Sequence, residues 1–181
     1  MKSIPLDKVL YLFEVDDILF PKRDYLLQVY YLFANFVEFT EGQAIAKEVV
    51  DFMKARYEEE GEAAVLPKTR AHFNLGESYV GNFERLKANA QLPLRLYIPE
   101  DSKEMFRTLL EAGKNIALLT RGNPVEQLNK LKHIDWQELD QLRGQLKIYF
   151  TDELLFRGIE PIAYIAEEYG IRAEDVLEAQ V

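Results

Sequence analysis

A chain of 181 residues and 21.1 kDa holds one sizeable domain, or a compact core with a modest insertion, and is too short for a long multidomain enzyme. Hydrophobic residues at 48% and charged residues at 29% are ordinary globular values, while a formal net charge of −9 without a basic patch argues against nucleic acid or an anionic membrane as partner. The absence of cysteine excludes a disulfide framework and thiolate chemistry, and it fits a reducing cytoplasm.

Met1 to Lys8 has neither an uninterrupted apolar core nor a small-residue cleavage site, so no signal peptide is expected. The following run, Val9-Leu10-Tyr11-Leu12-Phe13-Glu14-Val15-Asp16-Asp17-Ile18-Leu19-Phe20, is apolar, breaks into clustered carboxylates and resumes. That is the signature of a buried parallel strand delivering charge to the carboxyl edge of a sheet, where open α/β folds keep their chemistry. The competing reading is that the acids only end a strand at solvent.

Pro21 to Asp24 breaks the pattern, and helical segments are expected from about Tyr25 to Phe39 and Gln43 to Glu59. The longest uncharged stretch there, Tyr25 to Val37, has 13 residues, too few to span a bilayer. Its aromatics, Tyr25, Tyr30, Tyr31, Phe33, Phe36 and Phe39, suit a buried helical core, with a ligand pocket or a homo-oligomer contact as alternatives. Gly61 and Pro67 interrupt the pattern, and a further helix ends near Ala90. Residues 21–91 thus read as a helical insertion, whose cations Arg56, Lys68, Arg70, Arg85 and Lys87 are candidates for contacts to an anion.

From Pro93 to Pro99 the chain is expected to run extended, and then helices and strands alternate. Asp101 to Ala112 is an amphipathic helix with Met105, Phe106, Leu109 and Leu110 inward, stopped by Gly113. Asn115 to Leu119 is a buried strand. The helix begun by Pro124 carries Val125, Leu128 and Leu131 on one side, and its start is marked by Asn123 as a cap. Leu146 to Phe150 is another strand, Pro161 to Tyr169 a helix stopped at Gly170, and Val176-Leu177 opens a last strand. His72 and His133 lack the spacing of a metal pair, and Trp136 suits packing. The alternation predicts an α/β fold: three layers around a mostly parallel, doubly wound sheet, with 1–20 and 92–181 as core and 21–91 inserted after the first strand.

The strand-end acids resemble the first motif of the haloacid dehalogenase (HAD) superfamily, Asp-x-Asp-x-Thr or Asp-x-Asp-Asp-Thr-Leu, here Glu14-x-Asp16-Asp17-Ile18-Leu19. The helical insertion likewise resembles the cap of many HAD proteins. The resemblance implies a phosphohydrolase ancestry in which Glu14 holds the nucleophile slot and Asp16 the acid–base slot, the same two residues being the candidate ligands of a weakly held Mg. Asp17 and Glu153 are further candidates for that ion. The second motif is matched by Leu118-Leu119-Thr120-Arg121-Gly122-Asn123-Pro124, which implies phosphate binding by Thr120, Arg121, Gly122 and Asn123. A purely helix-capping turn is the plainer reading of the same residues.

Four features depart from the family pattern, the simplest being Ile18 where the first motif usually has threonine. Glutamate at 14 carries its carboxylate roughly an ångström further than aspartate, and misplacement on that scale costs a reaction about 10²-fold. The third-motif lysine has no counterpart near Phe156-Arg157-Gly158-Ile159-Glu160-Pro161, where Arg157 is the nearest cation and fits a surface position. The fourth-motif metal acid is absent: its register position is Val181, and period-two alternation turns Glu178 to the opposite face. The expectation is a degenerate HAD-like protein with impaired or lost phosphohydrolase chemistry and a binding or regulatory role. Its alternative is a slow Mg-dependent phosphatase of a small phosphorylated metabolite.

Overall fold

The structure, a computed structural model, describes residues 4–179, so the register position at Val181 lies outside the described residues. The chain divides into two compact units, one formed by Met1–Lys22 with Arg95–Val181 and the other by Arg23–Leu94.

In the first unit, β1 (Leu10–Phe13), β3 (Asn115–Thr120), β5 (Lys147–Phe150) and β6 (Val176–Ala179) form a four-stranded sheet in the order β5-β3-β1-β6, with every pairing parallel. Strand β1 is central and wholly buried, which is why its sequence is a continuous apolar run rather than an alternation. The helices α5 (Glu100–Glu111), α6 (Pro124–His133), α7 (Asp140–Gln145), α8 (Thr151–Phe156) and α9 (Pro161–Tyr169) connect and flank the strands. Winding runs outward from β1 through β3 to β5 and then returns to β6 on the other side of β1. An open sheet leaves its crevice at such a reversal, beyond the carboxyl ends of the strands.

A separate two-stranded parallel sheet pairs β2 (Leu96–Tyr97) with β4 (Ile134–Asp135). These strands have two residues each, too few for any periodicity to announce them. The larger difference from the sequence reading lies in α6. Val125 and Leu128, on the apolar side read from the sequence, are 52% and 41% exposed, whereas Glu126, Gln127, Lys130 and His133 are buried. That spacing is one helical face, so α6 turns its polar stripe inward. Leu110 of α5 is also exposed, at 40%, while Met105, Phe106 and Leu109 are buried as expected.

A polar cluster ties β5 to α9. The Tyr149 hydroxyl donates to Glu168 at 2.5 Å, Tyr164 donates to the same carboxylate at 3.1 Å, and the Lys147 ammonium lies 3.7 Å away. The Tyr149 hydrogen bond, foremost, holds Glu168 below the usual carboxylate range, while burial first and Glu168 second push the Tyr149 phenol up. A depressed carboxylate contributes stability above its unfolded value, about 4.3, and loses it as pH falls through the folded value. Glu168→Gln is therefore expected to lower the urea midpoint at neutral pH and to flatten its decline between about pH 5 and pH 3. A parallel decline in both proteins would show that the cluster is screened by solvent.

The second unit contains α1 (Lys22–Glu41, from its second residue), α2 (Ala46–Glu60), α3 (Glu62–Phe73) and α4 (Ser78–Asn89). Pro67, expected to interrupt the pattern, lies inside α3, which packs closely on α2 across a one-residue junction at Gly61. That junction needs glycine because its φ is +83°. The missing proline N–H costs α3 one intrahelical bond, and packing on α2 offsets it. Tyr30, Phe33, Tyr79 and Phe83 interlock edge-on and stacked as an aromatic core, while Tyr31 and Phe39 are exposed. The five cations that were candidates for contacts to an anion are engaged within this unit: Arg56 with Glu59 and Glu60, Lys68 with Glu60, Arg70 with Glu77, Arg85 with Asn82 and Lys87 with Glu62. His72 stacks on Phe52 with ring centroids 4.3 Å apart. Among the described residues no helix is long and apolar enough to cross a membrane.

Candidate functional site

Phe13 is level with Leu118 of β3 and Ala179 of β6, so Glu14 stands one residue past the pairing of β1, and Thr120 ends β3 two residues past Leu118. The chain after Glu14 folds into a tight loop: Leu19 N–H donates to the Val15 carbonyl at 3.1 Å and Asp17 N–H to that of Phe20 at 2.9 Å. Asp17 sits at φ +63°, a left-handed conformation that aspartate tolerates better than most residues, and its carboxylate accepts the Lys22 N–H at 2.8 Å. It thus takes up one of the unpaired donors that begin α1.

Glu14 and Thr120 meet directly. The Thr120 hydroxyl donates to Glu14 Oε1, the Arg121 N–H donates to Oε2 at 3.1 Å, and the Val15 N–H donates to Oε1 at 2.8 Å. Other groups of the turn after β3 are engaged as well. Gly122 N–H donates to Asp152 of α8 at 2.8 Å, and the Asn123 side chain accepts the Val125 N–H at 2.9 Å as the cap of α6. Gln127 Nε2 donates to the Arg121 carbonyl at 2.8 Å, and Gly122 supplies the φ of +90° that the turn requires. The four residues expected to bind phosphate are therefore gathered, with the Thr120 hydroxyl and the N–H groups of Arg121 and Gly122 held by side chains of the chain itself.

Asp16 turns to a cation that the sequence reading missed. Lys130 of α6, 1% exposed, donates to both Asp16 oxygens at 2.8 and 3.0 Å and also pairs with Glu126 at 3.0 Å. The Lys22 ammonium lies 3.9 Å from Asp16. The inverted face of α6 follows from this: carboxylates at a largely buried strand end require a cation close by. The available sequence signal was Glu126 and Lys130 at i and i+4 on a helix beginning beside Thr120. Arg157 is exposed on the surface.

A hollow of about 280 Å³ opens beside these groups, lined by Glu14, Asp16, Asp17, Ile18, Leu119, Arg121, Thr151, Glu178 and Ala179. Glu178 therefore borders the site, where alternation from Val181 had turned it away. Arg121 makes no ion pair among the described residues. Glu153 does not line the hollow. Of the two candidate ligands of a divalent cation, Glu14 already accepts three hydrogen bonds, and the Asp16 carboxylate faces two ammonium groups. Among the described residues no group of three or more histidines, aspartates or glutamates is placed to hold a metal ion.

The chain matches no protein-family model and no curated protein sequence. Solved structures with a similar fold include the L-2-haloacid dehalogenase RSc1362, at 12% identity and a TM-score of 0.49 over 96% of this chain and 78% of that one. A hydrolase from Streptococcus pneumoniae TIGR4 aligns at 13% identity and a TM-score of 0.45, covering 92% of this chain and 80% of its own. A dehalogenase aligns at 15% identity and 0.46, covering 96% and 76%. The likeness is one of fold alone.

Proposed function

We propose that this protein is a HAD-like scaffold whose strand-end site has been turned from phosphoryl transfer to binding or regulation. One observation carries the reading: both carboxylates in the slots for chemistry are committed to partners within the chain. A nucleophilic carboxylate needs an oxygen free to approach phosphorus in line, and both oxygens of Glu14 accept hydrogen bonds, three in all. A general acid–base needs access to a moving proton, and Asp16 is clamped by Lys130 through both oxygens. The poor fit to a divalent cation removes the usual means of neutralising a transferred phosphoryl group. A small phosphorylated metabolite or another anion is the fitting ligand class, and the cytoplasm is the compartment consistent with a cysteine-free chain.

Purified protein is expected to hydrolyse a generic aryl phosphate in magnesium no faster than its Asp16→Asn variant. Magnesium with beryllium fluoride, which stabilises a native state that binds it by mass action, is expected to leave the melting temperature unchanged. Turnover that disappears in Asp16→Asn would overturn the reading in favour of a slow phosphatase.

A further inference from the structure

We propose that Glu14 is the resident occupant of an oxyanion site, and that its carboxylate closes in cis a cradle shaped for a free phosphate-type anion. The inference rests on the non-catalytic reading of this site and adds what the site takes and what shuts it. Three donors from two separate chain segments, the Val15 N–H, the Thr120 hydroxyl and the Arg121 N–H, converge on one carboxylate. Convergent N–H and O–H groups with no acceptor of their own are what an oxyanion needs, and charge-assisted bonds of this kind are the strong ones. Here the anion is supplied by the preceding strand.

The surroundings separate the closed site from an open one. Arg121 lines the adjoining hollow, and its guanidinium makes no ion pair among the described residues, so a cation waits beside a cradle that is already filled. The other acids of the lining, Asp16, Asp17 and Glu178, work against a further anion, although Asp16 is matched by Lys130 and Lys22. With Glu14 in place, an incoming phosphate would meet its charge as well as find its donors taken. With Glu14 withdrawn, both obstacles go together. Apparent affinity scales with the fraction of molecules in which the seat is open, so a carboxylate that leaves it about one-tenth of the time or less weakens binding by about tenfold or more.

The test compares the parent protein with Glu14→Ala for inorganic phosphate, by calorimetry and ³¹P line broadening at fixed ionic strength. Glu14→Ala is expected to bind phosphate about tenfold or more tightly than the parent. Formate, which returns the missing carboxylate as a free ion, is expected to raise the melting temperature of Glu14→Ala and not that of the parent. Adding Thr120→Val should remove the phosphate gain. The proposal is overturned if Glu14→Ala binds phosphate no better than the parent, if the gain survives Thr120→Val, or if Glu14→Ala fails to fold in phosphate and formate alike. None of these readouts involves turnover, so the cis-closure can fail while the non-catalytic reading stands, whereas a phosphatase activity of the parent would fell the reading and the closure that rests on it together.

Discussion

Lys130→Met is expected to destabilise the protein by about 3–5 kcal/mol, the usual cost of removing one partner from a buried ion pair. The ammonium lies between Asp16 and Glu126, whose side chains are 15% and 11% exposed against 1% for Lys130 itself. Methionine nearly matches the length and apolar volume of the lysine stem, so packing changes little and the loss isolates the charge. Two carboxylates largely withdrawn from water then lose the cation between them, and Lys22 at 3.9 Å is too far and too exposed to replace it. Urea unfolding of Lys130→Met, Asp16→Asn with Glu126→Gln, and the triple variant forms the deciding cycle. The triple variant should recover much of the loss, because an apolar core without charges is often as stable as one with a buried pair. A loss below about 1 kcal/mol, the range of exposed pairs, would mean that water reaches the cluster freely.

The same cluster marks where the sequence stopped being readable. Strand β1 was legible because a fully buried parallel strand has no polar face to hide, and α9 because Pro161 opens it and Gly170, at φ +65°, closes it. The strand ends that carry Glu14 and Thr120 were legible as apolar runs, whereas their placement as neighbours was implied only by the family resemblance, since periodicity does not give the order of strands in a sheet. Strands β2 and β4 were illegible for want of length, and α3 because Pro67 outweighs eleven ordinary helix residues in any local reading. The inward face of α6 failed for a different reason. Amphipathic periodicity assumes that the polar side seeks water, whereas the polar stripe of α6 supplies a cation to an acid more than a hundred residues earlier in the chain. The family resemblance directed the search for a lysine towards Arg157, while Lys130 stood on the helix that follows Thr120. What Glu14 does with its extra methylene was equally hidden, since spacing shows only that a carboxylate is longer and not which donors it reaches.

Phe13→Ala should cost about 3–5 kcal/mol, as large core truncations do when the cavity cannot collapse. Phe13 is fully buried and held between Leu118 and Ala179 in the central strand, so the backbone on either side cannot close the void. Its ring meets Phe106 edge-on, with centroids 5.2 Å apart and planes at 82°, a geometry that adds about 0.5–1.5 kcal/mol beyond burial. A double-mutant cycle with Phe106→Ala should recover that increment as coupling, and Phe13→Leu should lose markedly less than Phe13→Ala. The functional consequence lies one residue on. Glu14 reaches Thr120 and Arg121 only while the end of β1 is held in register, so the Arg121 amide, bonded to Glu14, should gain more hydrogen exchange in Phe13→Ala than the amides of β5. Uniform acceleration across the sheet would indicate global destabilisation alone, whereas a local gain at Arg121 would tie the packing of Phe13 to the closure of the site.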